Sequence, residues 1–460
     1  MLTLLLSQIA QICQGTVHGN DCQISSFSTD SRHIAPEELF VALKGERFDG
    51  HHYLPQAVAN GAGAALVSLP IESKLSYVLV DDTRIALGQI ASWQRQQFQG
   101  PVAAITGSNG KTTVKEMLSF ILASHYQVLF TQGNFNNDIG LPLTLLRLQP
   151  HYQAMVLELG ANHAGEIAYT AKIAHPNVAL VNNVGDAHIE GFGSRDGVAH
   201  EKSEILAALQ GQGCAVFESD SPYQTLFRQK AGTSQCVTFG LDDSADVQAQ
   251  DCQRLKDGCY QFSLCFAHQS APVVLKTAGL HNVKNSCAAA AMALQMGVEL
   301  AVIARQLSEF LGVAGRLRRL KLAESMTLFD DTYNANPASF MAALEVLVQS
   351  QGRAILVAGD MGELGEQSLF AHQQLGRAAA KRQIELMATG TWMKQAVATA
   401  GHLGQHYPDQ PLLAQALLNR LEDIQQQGCE CVVVVKGSRA SQMENVVQFI
   451  QQHFNKVHQC

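Results

Sequence analysis

Short apolar runs alternate along most of the chain with stretches whose apolar residues recur at helical spacing, the pattern of an α/β protein. A first helix ending near Gly15 is followed by short strands at 24–27, 39–43, 64–67 and 77–80, then by a helix over about 84–97. After Gln99-Gly100-Pro101, strands are predicted at 102–106, 154–159, 178–182 and 214–217, and an alanine-rich helix runs from Gly279 through Met296. Strand and helix in alternation predict a mainly parallel sheet with helices on both faces. From Val313 onward, strands at 317–322 and 326–330 precede further α/β units whose strands lie at 354–358, 384–387 and 431–435. Each of these runs into a glycine-containing loop and then a helix. The breaks divide the chain into 1–85, 86–312 and 313–460, with no internal repeat and no low-complexity tail.

The run at 102–105 feeds Thr106-Gly107-Ser108-Asn109-Gly110-Lys111-Thr112-Thr113, after which Val114, Met117, Leu118, Ile121 and Leu122 mark a helix. Strand, glycine loop, lysine, hydroxyl and helix, in that order, build a phosphate cradle. The glycines let backbone N–H groups turn inward, and the helix points its positive N-terminal end at the anion. Lys111 offers a point charge to terminal phosphates, and Thr112 a hydroxyl to magnesium. Ile105 stands where the longer form of the loop has its first glycine, so this is a shortened variant.

Other constellations are more ambiguous by themselves. Glu158 ends an apolar strand, where a carboxylate needs compensation. It reads as a magnesium ligand opposite Thr112, or as a cap or ion-pair partner for the helix that follows. His188, in Asp186-Ala187-His188-Ile189-Glu190-Gly191, reads as a structural histidine. Lys202, between Glu201 and Glu204, reads as a surface helix lysine. Asp330-Asp331 follows an apolar strand and precedes Asn334-Ala335-Asn336, a position suited to a site or to helix capping by an asparagine. Lys436-Gly437-Ser438-Arg439 is a second anion site or a turn carrying cations. Thr29-Asp30-Ser31-Arg32 and Lys44-Gly45-Glu46-Arg47-Phe48-Asp49-Gly50-His51-His52 read as solvated loops.

Composition narrows the function classes. The 460 residues suffice for about three domains, 47% are hydrophobic and 16% charged, and the net charge is −8 without a long basic run. A nucleic-acid binder would show a clustered basic face, so the expected polyanion is small and held in a pocket. Eleven cysteines, scattered from Cys13 to Cys460 with no CxxC, read as free thiols in a reducing compartment. The apolar N-terminus, 1–6, lacks a positive leader and soon turns polar, so it is expected to be a short docking helix and not a signal peptide. No apolar run reaches membrane-spanning length, and a cytoplasmic location is expected.

Taken together, the motifs TDSR, KGERFDGH, TGSNGKTT, GNFNNDIGLP, ELGANHAGEI, NNVGDAHIEGFGS, EKSEI, GLHN, DDTYNANP, GDMGELGEQS and VKGSR occur in the order and spacing of the Mur ligases. The chain resembles this family of ATP-dependent amide-forming enzymes over all three segments. The resemblance implies a smaller α/β N-terminal domain that binds a UDP substrate, a central mainly parallel P-loop domain and a Rossmann-like C-terminal domain that closes on ATP. It implies that Gly107, Ser108, Asn109, Gly110, Lys111, Thr112 and Thr113 hold ATP phosphates. Two magnesium ions follow, one on Thr112 and Glu158, the other on His188 and a Lys202 carbamylated by carbon dioxide. Lys111, Lys202, His188 and Glu158 would then be catalytic, and Asn282, Arg316 and Asp331 would contact the nucleotide. Ser31, Arg32, Lys44, Asp49 and His51 would hold the uridine diphosphate, Asn137 and Asp138 the peptide end. Asn334, Lys436 and Ser438 would lie near an incoming dipeptide. GNFNNDIG and GDMGELG, with no DNPR segment in the last domain, resemble the member type that joins D-alanyl-D-alanine to UDP-N-acetylmuramoyl-tripeptide, expected as a monomer. A tripeptide-forming or folate-polyglutamylating ligase shares the central motifs, and a nucleotide-gated binding protein could use the same loop without needing the first-domain motifs.

Overall fold

The computed structural model describes residues 3–45, 48–185, 192–255, 258–362 and 364–457. The chain folds into two compact units, one of residues 1–247 with 288–299, the other of 248–287 with 300–460.

In the first unit, five short strands order as Thr16–His18, Tyr77–Leu79, Ala64–Val67, Glu38–Val41 and Ser26–Ser28, parallel except for the first pair. The expected strand at 24–27 is split, because Gln23–Ile24 turns away to pair with Leu4–Leu5. The apolar stretch therefore contributes the strand pair Leu4–Leu5, and the first helix begins only at Leu6 and runs to Cys13. The helix Thr83–Gln96 is started by Asp82, whose carboxylate accepts the N–H groups of Arg84 and Ile85. It shares one continuous core with Leu6, Ile9, Leu39 and Leu66 on one side and Val102, Ala104 and Leu157 on the other.

Within this unit the larger sheet runs Val128–Phe130, Ala154–Glu158, Val102–Thr106, Val178–Val181, Cys214–Glu218 and Gln235–Gly240, these six all parallel. Its inner strands are buried on both faces and so read as unbroken apolar runs. The three-residue strand Val128–Phe130 lies two places from Val102–Thr106, and the chain afterwards crosses to Val178–Val181 on the other side. Loops after Thr106 and Val181 thus leave in opposite directions, which opens the crevice where ligands sit in such sheets.

The second unit contains the hairpin Tyr260–Phe266 and Gln269–Val274, which the apolar pattern does not announce. Ala267 turns it with φ at 51°, a left-handed conformation more usual for glycine. Its six-stranded sheet orders as Arg318–Ala323, Met326–Asp331, Cys431–Lys436, Arg353–Ala358, Glu385–Thr389 and Gly404–Tyr407. Only the first pair is antiparallel, and helices cover both faces with separate apolar cores. No described helix is long and apolar enough to cross a membrane.

Candidate active site

The phosphate loop lies between the strand Val102–Thr106 and the helix Lys111–Leu122, at the crevice. Gly110 starts the helix in a left-handed conformation, φ 79°, which a side chain would strain. A Cβ on Gly107 would sit 3.0 Å from Asn182 Cβ. The segment after Val181 ties the loop down. Ser108 N–H donates to Asn183 O at 3.1 Å, and Ser108 Oγ exchanges bonds with Gly185 O and N. Asn183 clamps one residue from both sides, accepting Asn109 N–H at 2.8 Å and donating to Asn109 O at 3.0 Å. Asn182 Nδ2 donates to the same carbonyl at 2.9 Å. The amides of Ser108 and Asn109 therefore serve to hold the loop's shape. Lys111 Nζ donates to Gly107 O at 2.7 Å, folded over the loop that it would serve.

Glu158 pairs in register with Ile105 at the end of the neighbouring strand and is 2% exposed. Its Oε1 accepts from Asn136 Nδ2 at 2.8 Å, whereas buried Oε2 has no hydrogen-bond partner. The reading of Glu158 as a helix cap is set aside, because the helix Glu166–Ala174 is capped by Glu201, which accepts from Gly165 and Ile167 N–H. An orphaned carboxylate oxygen in a buried setting is what a hard cation completes. Among the described residues no group of three or more His, Cys, Asp or Glu stands ready for a metal. Magnesium suits that, since it takes one or two carboxylates and completes its shell with phosphate and water.

Lys202 requires a correction. It is not a surface lysine but lies 2% exposed on the helix Arg195–Ala207, beside Val198, Ala199, Ile205 and Leu206. Burial, with the Lys111 charge adding to it and Glu201 opposing, brings its ammonium down to about 7. His188 lies outside the described residues.

In the first-domain loops, most of the side chains expected to grip substrate are held by neighbours within the domain. Ser31 Oγ donates to Gln56 Oε1 at 2.8 Å. Arg32 forms a fork on Asp30, whose carboxyl it holds well below the usual range. Lys44 is exposed on a two-residue strand that pairs antiparallel with Phe48–Asp49. Both His51 ring nitrogens are engaged, Nδ1 with Asp49 at 2.6 Å and Nε2 accepting Ser68 N–H at 3.0 Å. Asn137 Oδ1 accepts from Gly140 N–H at the start of the helix Gly140–Leu145, and Asp138 pairs with Arg84 at 2.7 Å.

In the second unit, the two adjacent acids separate in role. Asp330 accepts from Gly315 N–H and Thr332 Oγ1 and braces the turn, while Asp331 pairs with Lys436 Nζ at 2.7 Å. The lysine also donates to Asn334 O at 3.0 Å and lies near the Phe340 ring. Its ammonium is thus committed to the neighbouring strand end. Asn336 caps the helix Pro337–Val348. Arg316 stacks on Tyr333 with 3.9 Å to the ring centroid, and buried Asn282 donates to Ala278 O. Ser438 N–H donates to Asp360 O at 2.9 Å, which joins two loops at strand ends.

Three family models match in succession. The Mur ligase catalytic domain covers 23–95, the Mur ligase middle domain 105–293 and the Mur ligase glutamate ligase domain 315–439. The chain belongs to the Mur ligase family. It is 42% identical to the UDP-N-acetylmuramoyl-tripeptide–D-alanyl-D-alanine ligase of Escherichia coli, over 98% of this chain and 99% of that one. A crystal structure of MurF from Acinetobacter baumannii superposes with a TM-score of 0.90 at 38% identity, covering 98% of this chain and 99% of that one. MurF ligase from Thermotoga maritima in complex with ADP superposes with a TM-score of 0.81 at 28% identity, covering 94% and 98%.

For a Mur ligase, the first unit thus brings the loop, Glu158 and Lys202 to one end of one sheet. Sequence reading misses the supports: Asn183, Asn136 and the buried Lys115. Lys115 was accessible to it in principle, since it lies one helical turn after Lys111 and beside the apolar positions Val114 and Leu118.

Proposed function

We propose that the chain is an ATP-dependent amide ligase that joins D-alanyl-D-alanine to UDP-N-acetylmuramoyl-tripeptide, giving the pentapeptide precursor of peptidoglycan. The observation that carries this reading is 42% identity to the ligase of that name along nearly the whole of both chains. A carboxylate and an ammonium do not condense at neutral pH, because a hydroxide-like oxygen leaves poorly. Transfer of the ATP γ-phosphoryl to the tripeptide carboxylate makes an acyl phosphate with a good leaving group. The dipeptide amine attacks it, and the tetrahedral intermediate collapses to amide and phosphate, with ADP left behind. Both steps gather negative charge, which Lys111 and the helix start at Gly110 are suited to stabilise.

In this reading Gly107 to Thr113 hold the phosphates, and Asn282, Arg316 and Asp331 serve the nucleotide. Thr112 and Glu158 hold one magnesium ion, and His188 with Lys202 a second. Bound magnesium would supply positive charge to the phosphate oxygens. The orphaned Glu158 oxygen supports the first assignment. Burial supports the modification of Lys202, because a neutral amine at neutral pH can add to carbon dioxide. The N–C bond forms as one C=O π bond of carbon dioxide opens, one amine proton leaves to solvent, and the neutral amine becomes an anionic carbamate. Ser31, Arg32, Lys44, Asp49 and His51 serve the uridine diphosphate, with His51 acting as the brace of its loop. Asn137 and Asp138 serve the peptide end, and Asn334, Ser438 and Lys436 the dipeptide, Lys436 by holding Asp331 and Asn334 in place. The three segments 1–85, 86–312 and 313–460 carry these roles in a cytoplasmic monomer.

The test is ADP release with UDP-muramoyl-tripeptide, with and without D-alanyl-D-alanine. Sustained release that requires both is expected. Equal stimulation by a single amino acid would assign the chain to another amide ligase, and release indifferent to either substrate would remove the ligase reading.

A further inference from the structure

Glu158 is held by a chain of contacts that runs back into the core. Lys115 is fully buried on the helix after the phosphate loop, and its Nζ donates to Thr131 O at 2.7 Å. The same ammonium pairs with Glu116 at 2.7 Å and lies 5.7 Å from the centre of the Phe130 ring. Thr131 in turn accepts Glu158 N–H on its Oγ1 at 3.0 Å. That fixes the backbone of Glu158.

The carboxylate is fixed separately. Asn136 Nδ2 donates to Oε1 at 2.8 Å, and Asn136 O accepts Gly160 N–H at 2.8 Å. A Cβ at Gly160 would meet three atoms of the Asn136 carboxamide at 3.0 Å each. The carboxamide is therefore confined on one side by a residue without a side chain and directed on the other at one oxygen of Glu158. Oε2 is left buried without a partner. If the carboxylate rotated freely, its two oxygens would share the single donor and neither would be preorganised.

We propose that Asn136 is a positioning residue for the metal: by holding Oε1, it presents Oε2 of Glu158 to the ion. The proposal rests on the reading of Glu158 as a magnesium ligand. Partners that orient a ligand typically change metal affinity by about 10–100-fold when removed. A merely structural asparagine would instead lower stability and leave metal affinity alone.

The test uses the full chain with a non-hydrolysable ATP analogue, titrated with manganese(II) and followed by electron paramagnetic resonance. Thermal melting without metal and analogue affinity without metal are measured on the same samples. Asn136→Ala is expected to weaken manganese binding about tenfold or more, with metal-free melting and analogue affinity close to those of the unaltered chain. Glu158→Gln should weaken it at least as much. If Glu158→Gln weakens binding and Asn136→Ala stays within about twofold, Asn136 does not position the ligand, and the reading of Glu158 survives. If Glu158→Gln itself binds manganese normally, Glu158 is no ligand and the proposal falls with that reading. Should Asn136→Ala fail to fold, Gly160→Ala decides. Its backbone is outside the left-handed region and its new methyl meets the Asn136 carboxamide first, so weakened manganese binding at normal metal-free melting is expected, and unchanged binding overturns the proposal.

Discussion

Two lysines of the same site call for opposite treatment. In the proposed mechanism Lys111 serves by staying charged, neutralising what builds up in phosphoryl transfer, and Lys111→Ala should lower turnover on the order of a hundredfold or more, as for one preorganised donor. Near-normal turnover in steady-state assays would remove the loop from the chemistry. In the same proposal Lys202 serves by losing its charge. Its ammonium is brought down to about 7, so the neutral amine that can take up carbon dioxide predominates above that pH and is depleted below it. Activity at limiting bicarbonate should accordingly fall as the pH drops through about 7, and added bicarbonate should recover part of it near neutrality. A bicarbonate response that is the same at pH 6 and pH 8 would count against the carbamate. Immediate neighbours in the sequence hide this lysine, because Glu201 and Glu204 make the segment look solvated. Helical spacing reveals it, since Val198 and Leu206 lie four residues to either side, on the buried face. The orphaned oxygen of Glu158 was beyond sequence reading, because it depends on an asparagine from a loop 22 residues away.

Elements were legible where burial on both faces makes a strand an apolar run. Val102–Thr106, Ala154–Glu158 and Val178–Val181 show this, and they are the strands that carry the site. Val128–Phe130 was too short to stand out, and the hairpin at 260–274 turns without a glycine signal. At the second sheet, the ends of Met326–Asp331 and Cys431–Lys436 are joined by the Asp331–Lys436 pair, which lies opposite in register. Both side chains are nearly out of solvent, so removing one leaves the other charge without its partner. Lys436→Met should therefore destabilise this unit by about 3–5 kcal/mol, seen as a lowered urea midpoint. Adding Asp331→Asn to it should recover much of that loss, while activity stays impaired. If the double variant is as unstable as the sum of the two single ones, the pair is not the cause.

At the scale of the molecule, chain order and compact units do not coincide. The middle family domain spans 105–293, yet 248–287 belongs to the second unit and 288–299 returns to the first. The returning segment is part of the core. Ala288 to Ala293 are fully buried, Met296 and Val298 nearly so, and Tyr126 OH donates to Met296 O at 3.2 Å. Apolar periodicity shows the alanine-rich helix but not which sheet it covers, because the small side chains suit close packing against either. A fragment ending at Val247 keeps the six parallel strands from Val128–Phe130 to Gln235–Gly240 and loses 248–312, this cover included. Its apolar face would meet water, with a loss of several kcal/mol. For a unit of this size, about 2–4 °C is lost per kcal/mol, so residues 1–247 should melt roughly ten degrees or more below residues 1–312, or without a cooperative transition. Circular dichroism melting of the two fragments, with a hydrophobic dye to report exposed apolar surface, makes the comparison. Equal midpoints and equal dye binding would mean that the first unit closes its core without the returning helix, and that the chain's second passage through it serves the site and not the fold.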